Sequence, residues 1–173
     1  MSGQERLILR PITRDDTELI VRWRNNPRVR DRFVYREPFT KETHERWITE
    51  HIEGKRDVVQ WIVCERQAAG EERPIGSVYF RDIDREQSTA EYGVLIGEDD
   101  AVGHGYGNEI VELACVRARD ELGLKHVILR VFCDNVVAIR SYEHAGFAVT
   151  RKLADVRCSD GETSDMFMME REL

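Results

Sequence analysis

The stretch AVGHGYGNEI, Ala101–Ile110, decides how the rest of the chain is read. An apolar run, YGVLIG (Tyr92–Gly97), precedes it, and a helical pattern, NEIVELACVRARDELG (Asn108–Gly123), follows. A strand that breaks into Gly-x-Gly-x-Gly and then opens a helix lets backbone come close to a ligand. The helix start adds unpaired N–H groups and the positive end of a dipole. Together these predict an anion site, most often for phosphate.

Further out, the bulk properties bound the possibilities. At 173 residues, 41% hydrophobic and 34% charged, the chain reads as one globular domain, 1–173, with a substantial core. Its formal charge of −7 is spread along the sequence, without the basic stripe of a nucleic-acid binder. The acidic balance suits a cationic substrate, and equally serves solubility alone. No apolar run approaches the roughly 20 residues of a membrane span. MSGQERLILRPI lacks a signal-peptide core, so no membrane partner and a cytoplasmic location are expected. Cys64, Cys115, Cys133 and Cys158 are widely spaced with no C-x-x-C pair, which predicts reduced thiols and no metal site.

The pass along the chain predicts a strand over Leu7–Ile12 and then a helix capped by Thr13, with Leu19, Ile20 and Trp23 on its inner face, ended by Pro27. VRDRFVYREPF (Val29–Phe39) reads as an irregular link. Thr40 caps a second helix that stops near Gly54. Strands follow at Val58–Arg66, Ile75–Asp84 and Ser88–Gly97, the last two as an antiparallel pair. Ile110, Leu113, Ala114, Ala118 and Leu122 form the stripe of the long helix, with Gly123 as its C-cap. His126–Phe132 is a near-continuous apolar strand, as in a sheet covered on both faces. A helix from Asn135 to Gly146 and two strands around Asp160-Gly161 complete the pattern. The order β-α-α-β-β-β-α-β-α-β-β predicts an α/β chain of the α+β kind: a mixed, mainly antiparallel seven-stranded sheet flanked by helices.

Two nucleotide motifs fail. Gly103, Gly105 and Gly107 are followed by Asn108 where a Rossmann fingerprint needs its third glycine, and the preceding strands read as a meander. The G-K-[ST] of a Walker loop is absent.

A second constellation is more informative. After the strand HVILRVFCD comes N-x-x-A-I-x-x-Y-x-x-x-G-F, from Asn135 through Ala138, Ile139 and Tyr142 to Gly146-Phe147. In this order, behind a strand–G-x-G–helix, it resembles the GCN5-related N-acetyltransferase (GNAT) superfamily over essentially the whole chain. The resemblance implies a sheet splayed between its fourth and fifth strands, with the pantetheine arm of acetyl-CoA in the gap. Backbone groups near Leu95, Ile96 and Gly97 would pair with that arm. The pyrophosphate would sit on the loop formed by Val102, Gly103, His104, Gly105, Tyr106, Gly107 and Asn108. One departure stands out. The family motif often begins with Arg or Gln, and here that position is Val102, so backbone N–H groups carry more of the pyrophosphate, with His104 as an extra donor or simply a solvated loop residue.

Acetyl transfer needs a neutral amine, a polarised thioester carbonyl and a proton for the leaving thiolate. An alkylammonium has a pKa of roughly 10, so a base or a water chain must take its proton. By resemblance, Tyr142 is the general acid, the alternative being a packed core tyrosine. Asn135 binds the cofactor, caps its helix, or both. A backbone N–H near Leu95 or Ile96 would polarise the carbonyl. Glu91 is the candidate base; strand alternation sets it on one face with Gly93 and Leu95, opposite Val94 and Ile96. It could instead hold a cationic substrate group or be a solvated carboxylate; Asp82 and Asp84 are weaker candidates.

In the family the acceptor pocket is built by the first two helices and their link. The start of the link, Trp23-Arg24-Asn25-Asn26-Pro27, resembles a bacterial subgroup that acetylates ribosomal-protein N-termini, spermidine or nucleotide-linked amino sugars. Arg24, Arg28, Arg30, Arg32 and Arg36, with Phe33, Tyr35 and Phe39, suit a nucleotide-linked sugar better than a polyamine. A salt-bridged helix end is the plainer alternative. The expected substrate-binding residues are Arg24, Asn25, Arg30, Phe33 and Tyr35. The expected partners are acetyl-CoA and a small-molecule amine acceptor, without nucleic acid; a homodimer is a compatible assembly. The reading from another class is a CoA-binding module without turnover.

Overall fold

Alternation of buried and half-buried residues makes Leu7–Pro11 a strand, β1, with Leu7 and Leu9 turned inward. The computed structural model describes residues 5–173. β1 pairs antiparallel with β2 (Val59–Arg66). Between them, Thr13 opens a single 3₁₀ turn, Arg14–Asp16, rather than capping the α-helix expected there. The Asp16 carboxylate explains this. It accepts from the Thr13 N–H at 2.9 Å and takes a bidentate pair from Arg10 at 2.8 and 2.9 Å, and so fixes the turn before α1 (Thr17–Asn25) begins.

Pro27 does more than end α1. It occupies the first position of a short helix, α2 (Pro27–Arg30), whose Arg28 N–H is received by Asn26 Oδ1 at 3.1 Å. The link is therefore partly helical, a correction to its irregular reading. Thr40 caps α3 (Lys41–Trp47) through its Oγ1, which accepts from the Thr43 N–H at 3.2 Å. Wider π-helical turns continue α3 over Ile48–Lys55, and Arg56 ends them in a left-handed conformation.

The remaining elements are β3 (Glu72–Asp84), β4 (Thr89–Ile96), α4 (Tyr106–Leu122), β5 (His126–Phe132), α5 (Val136–His144), β6 (Ala148–Arg157) and β7 (Thr163–Glu172). Gly123, at φ 65°, closes α4 as the sequence predicts. The seven strands form one sheet in the order β1-β2-β3-β4-β5-β7-β6, antiparallel throughout except at β4–β5.

That parallel pair is the decisive feature. It is joined only at Thr89↔His126, Ala90↔Val127 and Glu91↔Ile128. Past Glu91 the two strands part, while β3 keeps β4 and β7 keeps β5. The sheet is splayed where the sequence implies. One face, with Trp61, Phe80, Tyr92 and Leu129, belongs to the core cluster that includes Ile110 and Val111 of α4. The other, with Ile62, Cys64 and Leu95, belongs to the cluster that includes Ile20 and Trp23 of α1. Among the described residues no helix is long and apolar enough to cross a membrane.

Candidate active site

In an extended strand successive backbone groups face opposite neighbours. The Gly97 N–H donates to Ile75 O at 2.7 Å, on the β3 side. Ser88 O accepts from the His126 N–H at 3.2 Å, on the β5 side. By alternation the main-chain groups of Tyr92, Val94 and Ile96 face the splay, and those of Leu95 and Gly97 do not. Ile96 thus faces the gap, although its carbonyl already accepts from Arg28 Nη2 at 2.9 Å. Leu95 and Gly97 are corrected: Leu95 contributes a side chain to the α1-side core, and Gly97 is small because the Trp23 ring lies where its Cβ would be, 2.1 Å from Cγ.

The glycine loop lies at the head of α4. Gly103 (φ 85°) and Gly105 (φ 76°) are both left-handed, and no atom lies within 4 Å of a Cβ placed on Gly103. Such a turn followed by a helix start presents N–H groups to an anion. Gly107 permits a close approach of α5: its added Cβ would stand 3.3 Å from Ser141 Oγ, which donates to Asn108 Oδ1 at 2.6 Å. Val102 is half exposed. The Tyr106 side chain is buried in the core, so only its backbone belongs to the loop surface. His104 is not a spare donor when its ring is neutral. Its Nε2 donates to Asp100 O at 2.9 Å, which leaves Nδ1 as an acceptor. The sequence reading missed Arg6, whose Nη2 donates to His104 O at 3.0 Å while its guanidinium lies 4.5 Å from the Tyr106 ring centre.

A cavity of about 740 Å³ runs from the splay to the helical link. Tyr142 and Asn135 line it from α5 and its approach. The Asn135 side chain makes no capping bond, so the N-cap alternative falls away. Tyr142 packs edge-on to Tyr92 and Phe147, and burial pushes its phenol pKa up from the usual tyrosine value.

From the link, Arg24, Phe33 and Tyr35 reach the cavity. Two others do not. Asn25 clasps Phe39, accepting from its N–H at 2.7 Å and donating to its O at 2.9 Å. Arg30 pairs with its neighbour Asp31 at 3.1 Å. Neither is among the residues that line the cavity.

Glu91 is on the cavity floor, on the face with Gly93 and Leu95 that alternation predicts, and is only 9% exposed. Neither of its oxygens is idle. Arg81 donates twice to Oε2, with Nε at 2.7 Å, and Arg130 reaches Oε1 at 3.0 Å and Oε2 at 3.3 Å. Asp82 lines the cavity within 4.0 Å of Arg81, whereas Asp84 turns back to the Glu86 and Gln87 N–H groups.

Sequence reasoning passed over Tyr79, His44 and Gln60, which also line this space. No local pattern marks them; strand pairing and the packing of α3 bring them in. Among the described residues, four buried side-chain atoms lack a hydrogen-bond partner: Arg24 Nε, His44 Nε2, Gln60 Oε1 and Tyr92 Oη. All four belong to residues lining the cavity.

A parallel strand pair that parts after three steps, beside a helix headed by left-handed glycines, is the architecture of the GCN5-related N-acetyltransferases. The chain belongs to the acetyltransferase (GNAT) domain family, whose model matches residues 6–148. Spermidine N-acetyltransferase from Vibrio cholerae, solved in complex with CoA and spermine, superposes with a TM-score of 0.86 at 23% identity, over 98% of this chain and 96% of that one. A domain from Methanocaldococcus jannaschii superposes with a TM-score of 0.80 at 27% identity, over 98% of this chain and all of that one. An uncharacterized protein of the same organism is 30% identical over 148 residues, 85% of this chain; the chain spans 29% of that relative's length.

Proposed function

We propose that the chain acetylates a small-molecule primary amine by direct attack on acetyl-CoA, and that the acceptor is of the nucleotide-linked amino-sugar kind. The supporting observation is the continuity of one cavity from the parted strands to the aromatic, arginine-bearing link.

Acetyl-CoA would supply an activated acetyl thioester. The main-chain groups of Tyr92 and Val94 and the N–H of Ile96 offer hydrogen bonds of the kind a neighbouring strand would take; the Ile96 carbonyl is already taken by Arg28 Nη2. One of their N–H groups is suited to polarise a carbonyl. The Gly103–Asn108 loop offers backbone N–H groups to a pyrophosphate, and Asn135 offers its uncommitted amide. Tyr142 keeps its proton at neutral pH and is the donor to a departing thiolate. Glu91, shared by two guanidiniums, anchors the cavity floor; the amine proton leaves through water.

The Vibrio cholerae neighbour was solved with a polyamine. Here Arg81 and Arg130 share Glu91, and a polycation would meet Arg24, which has no carboxylate partner, so like charge there disfavours it. The test is thiol release from acetyl-CoA with a panel of amines. Amine-dependent release supports the reading. CoA-induced thermal stabilisation without release by any amine would make the chain a binding module.

A further inference from the structure

Arg24 is on the last turn of α1 and is 8% exposed. Its guanidinium is stacked between two rings, 3.7 Å from the centre of Phe33 and 4.6 Å from that of Phe39. Nη2 donates to Tyr35 O at 3.2 Å, and Nε has no partner. Four arginines line the cavity. Arg32 pairs with Asp134, and Arg81 and Arg130 share Glu91. Among the described residues, Arg24 alone of the four has no carboxylate within 4.0 Å. The other acids on the wall are engaged: Asp57 pairs with His51 at 3.1 Å, and Asp82 stands 4.0 Å from Arg81.

Ring stacking covers the faces of a guanidinium and leaves its in-plane N–H edge for hydrogen bonds. A buried cation with an unused donor is unfavourable unless something completes it. Nε is itself closed off, so the edge an occupant can meet is the rest of the guanidinium fork, where only Nη2 is engaged and which lines the cavity. We propose that Arg24 receives an oxyanion carried by the acceptor, a phosphate or a carboxylate, and so selects amines that bear a negative group over neutral amines and polycations. This rests on the reading of the cavity as the acceptor site.

The experiment compares glucosamine phosphate, β-alanine, glucosamine and spermidine as acceptors for wild type, R24K and R24Q. In wild type, kcat/KM for the phosphorylated sugar or for the amino acid exceeds that for glucosamine by at least about tenfold, and which one leads separates phosphate from carboxylate. In R24Q that preference collapses through KM for the anionic amine, and R24K, which keeps the charge but loses the fork, falls between. Equal losses on charged and neutral amines would make Arg24 a brace of the link, and spermidine as the best acceptor would overturn the proposal. A second measurement does not depend on turnover: inorganic phosphate titrated calorimetrically into the protein saturated with CoA. Binding that R24Q abolishes supports the proposal; no binding by wild type overturns it. Amine-dependent thiol release absent in every case, with phosphate still bound through Arg24, would instead refute the acetyltransfer reading alone.

Discussion

The ring of Tyr79 lies over Gly93, its cross-strand partner, so closely that a β-carbon there would stand 2.2 Å from the Tyr79 Cζ and 2.4 Å from its hydroxyl. The glycine is required by this contact rather than by its own backbone angles. The Gly93→Ala protein therefore has to push the phenol off the β4 backbone and into the cavity. Overpacking of this kind costs about 1–3 kcal/mol. A lower Tm and a raised KM for the acceptor are expected together; an unshifted Tm would contradict the contact.

Tyr142→Phe keeps the edge-on packing against Tyr92 and Phe147 and removes only the hydroxyl. A proton donor to the leaving group contributes roughly 10²–10⁴-fold. The expected result is a fall of that size in kcat with little change in acetyl-CoA affinity, read by steady-state kinetics and calorimetry. A kcat equal to wild type would remove Tyr142 from the chemistry.

Replacing Glu91 by Gln neutralises the carboxylate that Arg81 and Arg130 share. The guanidiniums are a third or more exposed, so the loss is smaller than for a fully buried triad, about 1–3 kcal/mol. Thermal melting should report it. The kinetic outcome discriminates between roles. With the amine proton leaving through water, the acidic limb of the pH–rate profile persists in E91Q; its disappearance would make Glu91 the base.

His44 is held at about 4 by burial, below the ordinary histidine value, and its Nδ1 lies 3.0 Å from Thr17 Oγ1. An unfolded histidine titrates near 6.5. Between these two values the unfolded chain binds the extra proton, so His44 favours folding fully above about pH 6.5 and loses that contribution as pH falls toward 4. Urea midpoints at pH 7 and pH 5 should differ less for H44Q than for wild type. The same difference in both proteins would show that another group sets the acid limit.

What was legible in the sequence was local. The spacing of Gly103, Gly105 and Gly107 before an amphipathic helix, and of Asn135, Tyr142 and Gly146-Phe147 along another, depends on turn geometry and helical period, which neighbouring residues determine. The splay was implied by the family resemblance that these motifs carry. The misplaced residues depend on contacts far along the chain. Asn25 and Arg30 share a charged, polar stretch with Arg24, yet Asn25 is held by the backbone of Phe39, fourteen positions on, and Arg30, in the one-turn helix begun by Pro27, pairs with Asp31. Nothing near Glu91 announces that Arg130, thirty-nine positions on, will share its carboxylate with Arg81. The orientation of Leu95 and Gly97 toward β3 became readable only once Ser77 and Ile75 were known to face them.

The gap beyond Glu91 is walled by main chain, and main chain has no letter in the genetic alphabet. Tyr92, Val94 and Ile96 turn their amide N–H groups to a visitor whatever side chain each carries. What those amides offer is therefore unchanged by substitution so long as the two strands keep their distance. A chain of this design can keep its grip on one shared acyl donor while its opposite wall is rewritten for a new guest, and Arg24 stands on the wall that is free to change.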